Sequence, residues 1–208
     1  MLIYIIRHGE TDMNVKGVLQ GWTDRPLNES GVALARITGE GLRGVRFDGC
    51  FSSPLLRAAD TARIVLEASG NPLPIQYDER LREIGFGVAE GHPRSELGEQ
   101  GRLFFEDTFR YTPFPGGETI RQVCARTQSF LQELLDRDDG KTYLVSTHGC
   151  SLRAMLNFLY EDPADFWHVR VPYNCSVSVV EGRGGSARLV GDDLIYYDRS
   201  LIVDRYAH

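Results

Sequence analysis

Two histidines and two arginines stand at positions suited to binding and attacking a phosphoryl group. Arg7 precedes His8, and a glycine follows both His8 and His148, which allows a ligand to approach the backbone closely. Arg57 lies near the start of a predicted helix, where the helix dipole and the guanidinium both favour an anion. Arginine and histidine side chains stabilise charge on phosphate oxygens, and a neutral ring nitrogen can attack phosphorus. The pattern therefore favours phosphoryl transfer through a histidine.

Predicted strands precede these residues. Apolar and β-branched runs predict strands at Leu2–Arg7, Phe47–Ser52 and Thr142–Thr147. Helical patterns alternate with them, which is typical of a mostly parallel sheet covered on both faces. Such sheets bind ligands beyond the carboxyl ends of their strands, so the three ends are expected to converge. The sequence predicts an α/β fold, a three-layer sandwich with a mostly parallel central sheet flanked by helices on both faces, as a single domain over residues 1–208.

Local signals give the boundaries of neighbouring elements. Ser53 and Pro54 predict the start of the helix that carries Arg57, with the serine as cap and the proline at the first helical position. A short strand is predicted near Leu81, and a final hairpin is indicated around the glycine-rich turn 182–185. The predicted helix start places Arg57 at the same edge of the sheet as the strand ends.

Composition argues against two classes of partner. The formal net charge is -6, so no basic excess exists to neutralise a nucleic-acid backbone. No apolar stretch is long enough for a transmembrane helix, and no membrane partner is expected. The four cysteines show no CxxC pairing, which favours reduced thiols in a cytoplasmic protein.

The segment Arg7-His8-Gly9-Glu10-Thr11 resembles the RHG motif of the histidine phosphatase superfamily, which contains the phosphoglycerate mutases. The resemblance covers residues 2–181, in the family's order. It continues through Asn14, Gln20-Gly21-Trp22, Ser52-Ser53-Pro54-Leu55, Arg57, Leu81-Arg82-Glu83, Glu90-Gly91, Pro115-Gly116-Gly117-Glu118-Thr119, Thr147-His148-Gly149 and Asn174-Cys175-Ser176. A phosphoglycerate mutase-like fold is expected from this resemblance.

The resemblance also implies a covalent mechanism. His8 would attack phosphorus and become phosphorylated, while Glu83 would protonate the departing alkoxide and later activate water. The residues implied to hold the phosphate are Arg7, Arg57, His148, Asn14, the backbone at Gln20 and Gly21, and Gly149. No cofactor and no metal are expected, because two arginines and a protonated histidine can supply positive charge and no His, Cys or Asp cluster has metal-ligand spacing.

The family catalyses two reactions with one site. A mutase returns the phosphoryl group to another hydroxyl of its substrate, whereas a phosphatase transfers it to water. The family's cofactor-dependent mutases are longer, carry an insertion with basic residues, and usually have tyrosine and asparagine where this sequence has Phe86 and Cys150. The sequence therefore favours a metal-independent phosphomonoesterase acting on a small phosphorylated metabolite. A cofactor-dependent mutase and a non-catalytic protein that binds a phosphate ligand are the alternatives.

The partner is expected to be a small-molecule phosphomonoester, with a sugar phosphate, α-ribazole phosphate and a broad set of monoesters all open. Residues 92–112 are expected to cover the mouth of the pocket. This stretch holds four aromatic residues that are either substrate contacts or, as their helical spacing favours, core residues: Phe104, Phe105, Phe109 and Tyr111. The tail 192–208 packs either across the domain or at an oligomer interface, which leaves a homodimer open.

Overall fold

A six-stranded mixed sheet runs through the centre of the computed structural model, which describes residues 1–202. Its strands are β1 (Leu2–Arg7), β2 (Gly49–Ser52), β3 (Ile75–Tyr77), β4 (Thr142–Thr147), β5 (Val177–Arg183) and β6 (Ser186–Leu194). The α-helices are α1 (Asp12–Val15), α2 (Glu29–Gly41), α3 (Leu56–Ser69), α4 (Gly98–Glu106), α5 (Ile120–Leu135) and α6 (Gly149–Leu156). The strand order is β3-β2-β4-β1-β5-β6. Because β3, β2, β4 and β1 are parallel and only the β5–β6 hairpin is antiparallel to its neighbours, the mostly parallel α/β sheet is confirmed.

Helices cover both faces of the sheet, as predicted. In β1, Ile3 and Ile5 lie in an apolar cluster with α5 and α6, whereas Ile6 lies in a second cluster with α2 and α3. All three isoleucines are fully buried. A strand that is buried on both faces needs no alternation of polar and apolar residues, which explains the continuous apolar run of β1. The three layers are therefore α2 with α3, the sheet, and α5 with α6.

A third apolar cluster is formed largely by chain outside these layers. We call residues 84–111 and 166–171, which supply most of it, the cover. Phe104 of α4 is its centre: its ring centroid lies 5.0 Å from that of Phe86, 5.2 Å from that of Tyr111 and 5.5 Å from that of Trp167. These contacts are edge-to-face, the geometry that aromatic pairs prefer. Packing around one phenylalanine therefore joins the two segments of the cover.

The carboxyl ends of β2, β4 and β1 meet, as the sequence predicts. These strands are neighbours and parallel, with Ser52 opposite Ser146 and Arg7 opposite Thr147. Backbone hydrogen bonds continue past the last strand residues, since the amide of His8 donates to Thr147 O at 2.9 Å. The residues that follow the three strands are thus held at one edge of the sheet.

The start of α3 differs from its prediction. The helix begins at Leu56, two residues later than Pro54, and its N-cap residue makes no side-chain capping bond. The Ser53 hydroxyl lies 2.8 Å from His148 Nε2 and also accepts from Leu55 N at 3.3 Å, so it contacts both the site and the residue before the helix. Asp24 takes over the capping role, accepting from Leu56 N at 2.8 Å. A carboxylate from a distant loop satisfies a helix end as well as a local hydroxyl does.

Two further expectations are resolved by the fold. Leu81 lies in a 3-10 turn, Glu79–Leu81, and not in a strand, because the Asp78 carboxylate caps the turn by accepting from Arg80 N. The described part of the tail packs across the domain: Tyr197 is buried, and its hydroxyl donates to Asn174 O at 2.7 Å. Residues 203–208 of the tail lie outside the described residues. Over residues 1–202, no helix combines the length and apolar character needed to cross a membrane.

Candidate active site

A cleft opens beside the ends of β1 and β4. Eight of the nine residues that the sequence predicts for the site line it: Arg7, His8, Asn14, Gln20, Gly21, Arg57, Glu83 and Gly149. The ninth, His148, is fully buried, with its ring centroid 5.1 Å from that of His8. We call eight of these residues the floor: Arg7, His8, Asn14, Gln20, Gly21, Arg57, His148 and Gly149. Glu83 is not part of it.

Backbone groups hold His8 in one orientation. Its Nδ1 lies 2.7 Å from Gly9 O, which can only accept, so Nδ1 carries the proton and donates. Nε2 therefore keeps its lone pair, which is the form that can attack phosphorus. Burial and the charges of Arg57 and Arg7 hold the pKa of His8 well below its usual value of 6.5, so the ring is neutral at neutral pH. The carbonyl oxygen of His8 accepts from Asn174 Nδ2 at 2.9 Å.

Gly9 brings α2 against the backbone of the histidine. A Cβ at Gly9 would lie 2.6 Å from Gly31 O, too close for any side chain. The amide of Gly9 donates to Thr61 Oγ1 at 2.9 Å. The sequence explains this glycine by the approach of a ligand, whereas the structure shows that the packing of α2 also requires it.

Arg57 is anchored by carbonyl oxygens of one loop. Its Nη2 donates to Gly21 O at 2.7 Å and its Nη1 to Thr23 O at 3.0 Å. Its Nε is also buried and has no hydrogen-bond partner among the described residues. Burial lowers the pKa of Arg57 to about 10, which still leaves it charged at neutral pH. Arg7, also buried, donates from Nη1 to Pro172 O.

His148 differs from its prediction. The sequence expects a protonated ring, but burial and the charge of Arg57 hold the pKa of His148 well below 6.5. The physical reason is that two arginines in one buried site oppose a third cation. In the ligand-free site His148 is therefore neutral. Its Nε2 is engaged with Ser53, while the buried Nδ1 has no partner among the described residues.

Two amide side chains contribute donors to the floor. Thr11 is the N-cap residue of α1, and its side chain accepts from Asn14 N. In return, Asn14 Oδ1 accepts from Thr11 N at 3.1 Å. Gln20 Oε1 accepts from Thr11 Oγ1 at 2.9 Å. Because both amide oxygens are engaged within the protein, the amide nitrogens of Asn14 and Gln20 are the ends available to a ligand oxygen.

Glu83 lies between the floor and the cover. One carboxylate oxygen accepts from Ser151 N and from Ile84 N, both at 3.0 Å, and the other accepts from Cys150 N at 3.3 Å. Two of these donors belong to the first turn of α6, where the helix dipole favours a negative group. The carboxylate is thus fixed at the edge of the cleft as a hydrogen-bond acceptor.

The backbone around Glu83 is held by an ion pair that sequence reasoning missed. Arg126 pairs with Glu118 at 2.9 Å and donates to three carbonyl oxygens, those of Arg80, Arg82 and Glu83, at 2.6–3.0 Å. Glu118 also accepts from Gly85 N at 2.9 Å. The sequence singles out Glu118 only within its Pro-Gly-Gly-Glu turn. No short-range pattern connects Arg126 of α5 to a segment more than 40 residues earlier.

The remaining wall of the cleft is mostly apolar. It consists of Val18, Leu19, Phe86, Phe104, Phe105, Cys150, Trp167 and Val171. Of the four aromatic residues that the sequence leaves open, Phe104 and Phe105 line the cleft, and Phe104 is at the same time a core residue. Tyr111 is core, and Phe109 is exposed outside the cleft. Sequence reasoning missed Trp167, which reaches the cleft from a segment without regular structure.

No group of three His, Cys, Asp or Glu side chains in residues 1–202 is arranged to hold a metal ion. Among the described residues that line the cleft, the arginines are Arg7 and Arg57, which both belong to the floor. The site thus combines a buried neutral histidine, two buried guanidinium groups and a carboxylate beside an apolar wall. That combination can bind a phosphate, attack it and move a proton.

Comparison with known proteins gives a match to the family model of the histidine phosphatase superfamily (branch 1) over residues 3–192. The chain is 34% identical over 175 residues to a 2,3-bisphosphoglycerate-dependent phosphoglycerate mutase of Cytophaga hutchinsonii, covering 81% of this chain and 82% of that protein. It is 43% identical over 140 residues to the fructose-2,6-bisphosphatase TIGAR of Mus musculus, covering 66% of this chain and 52% of that protein. A solved mycobacterial glucosyl-3-phosphoglycerate phosphatase superposes with a TM-score of 0.81 at 28% identity, over 91% of this chain and 97% of that one.

One of these relatives corrects an expectation. The aligned residues amount to nearly the same share of the Cytophaga mutase as of this chain, so the two proteins are about equally long. The prediction that a mutase would be longer therefore fails for this relative. Chain length therefore does not distinguish a mutase from a phosphatase in this case. The residues that line the cleft are the remaining basis for that distinction.

Proposed function

The chain belongs to the histidine phosphatase superfamily, and we propose that within it the protein is a phosphomonoesterase for a small phosphorylated metabolite with a largely apolar leaving group. One observation carries this proposal: among the described residues that line the cleft, the only cations are Arg7 and Arg57 of the floor. A phosphoglycerate also carries a carboxylate, which would face the apolar wall without a partner. Burying an unpaired charge in that way is unfavourable. An apolar leaving group instead gains from the same wall.

The proposed reaction passes through a phosphohistidine. Nε2 of His8 attacks phosphorus, the P–N bond forms, and the P–O bond to the leaving group breaks. Glu83 protonates the departing alkoxide. In the second step a water molecule attacks phosphorus, Glu83 accepts its proton, and the P–N bond breaks to release inorganic phosphate. Each role is supported by a position in the cleft and, for His8, by the neutral ring with Nε2 unprotonated.

The floor residues have supporting roles in this proposal. Arg7 and Arg57 neutralise the charge that spreads over the phosphate oxygens, and His148 adds a neutral donor. Asn14, Gln20, Gly21 and Gly149 complete the oxygen pocket with amide groups. Two fixed guanidinium groups supply the charge that a metal ion supplies in many phosphoryl-transfer enzymes, so we propose that the reaction needs no metal.

Mutase activity is the second candidate, and the likeness to a mutase over 81% of this chain and 82% of that protein favours it. The two reactions diverge after phosphorylation of His8. A mutase keeps its phosphorylated state and returns the group to a bound hydroxyl, whereas a phosphatase admits water.

The test is a panel of phosphomonoesters that differ in the size and polarity of the leaving group, assayed in EDTA. 3-Phosphoglycerate with 2,3-bisphosphoglycerate is assayed in parallel. We expect chelator-resistant phosphate release that increases with the apolar area of the leaving group, and no release by the His8→Ala variant. Mutase turnover without phosphate release would overturn the proposal in favour of the second candidate. Rapid quenching with labelled ester tests a binding-only protein, because that protein would take up no covalent label.

A reducing compartment suits the cysteines. Cys50, Cys124, Cys150 and Cys175 are all free. Burial raises the pKa of Cys150, which lines the cleft, well above its usual value, so its thiol is a poor nucleophile. We therefore propose that the protein works in the cytoplasm and that Cys150 contributes packing and not chemistry.

A further inference from the structure

Glu90 lies outside the cleft, yet its carboxylate is in contact with both segments that carry the chemistry. One oxygen accepts from Trp22 N at 2.9 Å and from Phe86 N at 3.1 Å. The other accepts from Thr23 N and from Thr23 Oγ1, both at 2.7 Å. The half-buried carboxylate thus receives four hydrogen bonds, three of them from backbone amides.

The loop that Glu90 holds is the loop that anchors Arg57. Gly21 and Thr23 present their carbonyl oxygens to the two terminal nitrogens of the guanidinium, at 2.7 and 3.0 Å. The amides of the intervening Trp22 and of Thr23 point the other way, to Glu90. The loop is therefore fixed on both sides: by a carboxylate on its amides and by Arg57 on its carbonyls.

Gly21 shows how close this contact is. Its φ is +52°, a backbone conformation that favours glycine, and a Cβ there would overlap the Glu90 carboxylate. The Gln20-Gly21-Trp22 and Glu90-Gly91 segments of the sequence are thus two halves of one contact. The bond to Phe86 N extends it to the segment that begins at Glu83.

We propose that Glu90 is a positioning residue, which sets the place of Arg57 in the oxygen pocket by fixing the loop Gly21–Thr23. The inference rests on the proposed phosphoryl transfer at His8 but adds a residue to it. Arg57 lines the cleft, and the orientation of its guanidinium depends on where the two loop carbonyls hold its terminal nitrogens. Without the carboxylate, the loop amides lose their acceptors and the carbonyls shift with them.

The experiment is a double-mutant cycle on Glu90 and Arg57. Inorganic phosphate binding is measured by calorimetry, and kcat and KM are measured on the best ester of the panel. We expect Glu90→Gln to weaken phosphate binding about tenfold and to lower kcat by about 10- to 100-fold, because one acceptor oxygen becomes a donor facing amide hydrogens. In the Arg57→Ala background the same change should cost less than about twofold, since the residue it acts through is gone.

Two further variants keep the result interpretable. Thr23→Val removes one bond to Glu90 while leaving the loop carbonyls, and it should lower kcat in the same direction by a smaller factor. Asp139→Asn is the matched control: Asp139 likewise accepts from a backbone amide, that of Lys141, and from a side-chain hydroxyl, that of Tyr143, but it lies outside the cleft. It should leave phosphate affinity and kcat unchanged.

Equal losses from Glu90→Gln in both backgrounds would overturn the proposal, since Glu90 would then act independently of Arg57. Wild-type phosphate binding in Glu90→Gln and Thr23→Val would also overturn it. The binding arm needs no turnover, so it separates failure of this inference from failure of the proposed hydrolase activity. A mutase would show the same coupling in phosphate binding.

Discussion

The floor and the cover meet in one cleft but are built in opposite ways. The polar side chains of the floor are buried, and most of them form hydrogen bonds with the backbone. His8, for example, is bonded to Gly9 O, and Arg57 is bonded to Gly21 O. The part of the cover that lines the cleft is apolar, with aromatic rings packed edge-to-face around Phe104 and no polar side chain to bind a ligand. Under the proposed function, this difference implies a division of roles: the floor would perform the chemistry, and the cover would select the substrate.

Replacing the nucleophile tests the floor most severely. His8→Ala should lower kcat by about 10⁴- to 10⁶-fold, because the covalent route is lost while the arginines remain. Steady-state phosphate release and phosphohistidine trapping measure this effect. His92→Gln, an exposed histidine outside the cleft, is the control and should retain wild-type kcat. Activity of His8→Ala within tenfold of wild type would contradict the proposed mechanism.

Glu83 tests the boundary between the two regions. Glu83→Gln should lower kcat by about 10²- to 10⁴-fold on alkyl phosphates, since the proton donor is lost. On an ester with an acidic leaving group, such as p-nitrophenyl phosphate, the loss should be much smaller for the first step, because that leaving group needs no proton. Burst kinetics measure that step. An equal loss on both kinds of ester would exclude Glu83 as the proton donor.

A substitution in the cover should change recognition and leave the chemistry intact. Phe105→Ala removes part of the apolar wall, and KM for a bulky apolar ester should rise about tenfold, corresponding to roughly 1–2 kcal/mol of lost burial. For a small monoester KM should remain near wild type, and kcat should be unchanged for both. Phe109→Ala is the matched control, since Phe109 is exposed outside the cleft. A fall in kcat with no change in KM would break the division between floor and cover.

The floor should also make stability depend on pH, which is the smallest effect. Burial holds the pKa values of His8 and His148 well below 6.5 in the folded protein. Between those values and 6.5 the unfolded chain binds protons that the folded chain excludes, so the free energy of unfolding falls as pH is lowered through this window. Urea unfolding at about pH 7.5 and 5.5 measures the decline. This decline in the free energy of unfolding should be smaller in His8→Ala and the same as wild type in His92→Gln. Equal declines in wild type and both variants would contradict the attribution of the effect to His8.

Sequence predicts the floor because strand ends in a parallel sheet converge by topology. Leu2–Arg7 and Thr142–Thr147 are recognisable as buried strands, and their pairing brings His8 near His148 without further information. Where the sequence prediction is wrong, as at the start of α3, a polar side chain has more than one possible hydrogen-bond partner. The Ser53 hydroxyl contacts both Leu55 N, just before α3, and His148, and a propensity for caps cannot predict the second contact, because it is 95 residues away.

The cover was predicted only as a region, because its contacts are side-chain packing between distant segments. Trp167 donates to Phe104 O across 63 residues, and nothing local to either residue signals that bond. The same limit applies to Arg126, whose donors reach carbonyl oxygens in a loop on another part of the chain. Patterns of period two and 3.6 identify which face of an element is apolar, but not which distant ring fills it.

The bond from Asn174 to the His8 carbonyl has a consequence for the order in which the molecule is completed. It joins residues 166 positions apart, and Asn174 is itself held by Tyr197, so the reacting end of the chain is closed by its last described segment. Closing so large a loop is entropically costly and belongs to the late steps of folding. The carbonyl oxygen of His8 therefore gains this bond only when the segment around Asn174 and Tyr197 has folded against it. The proposed phosphoryl-transfer site is thereby complete only when this later segment of the chain is in place.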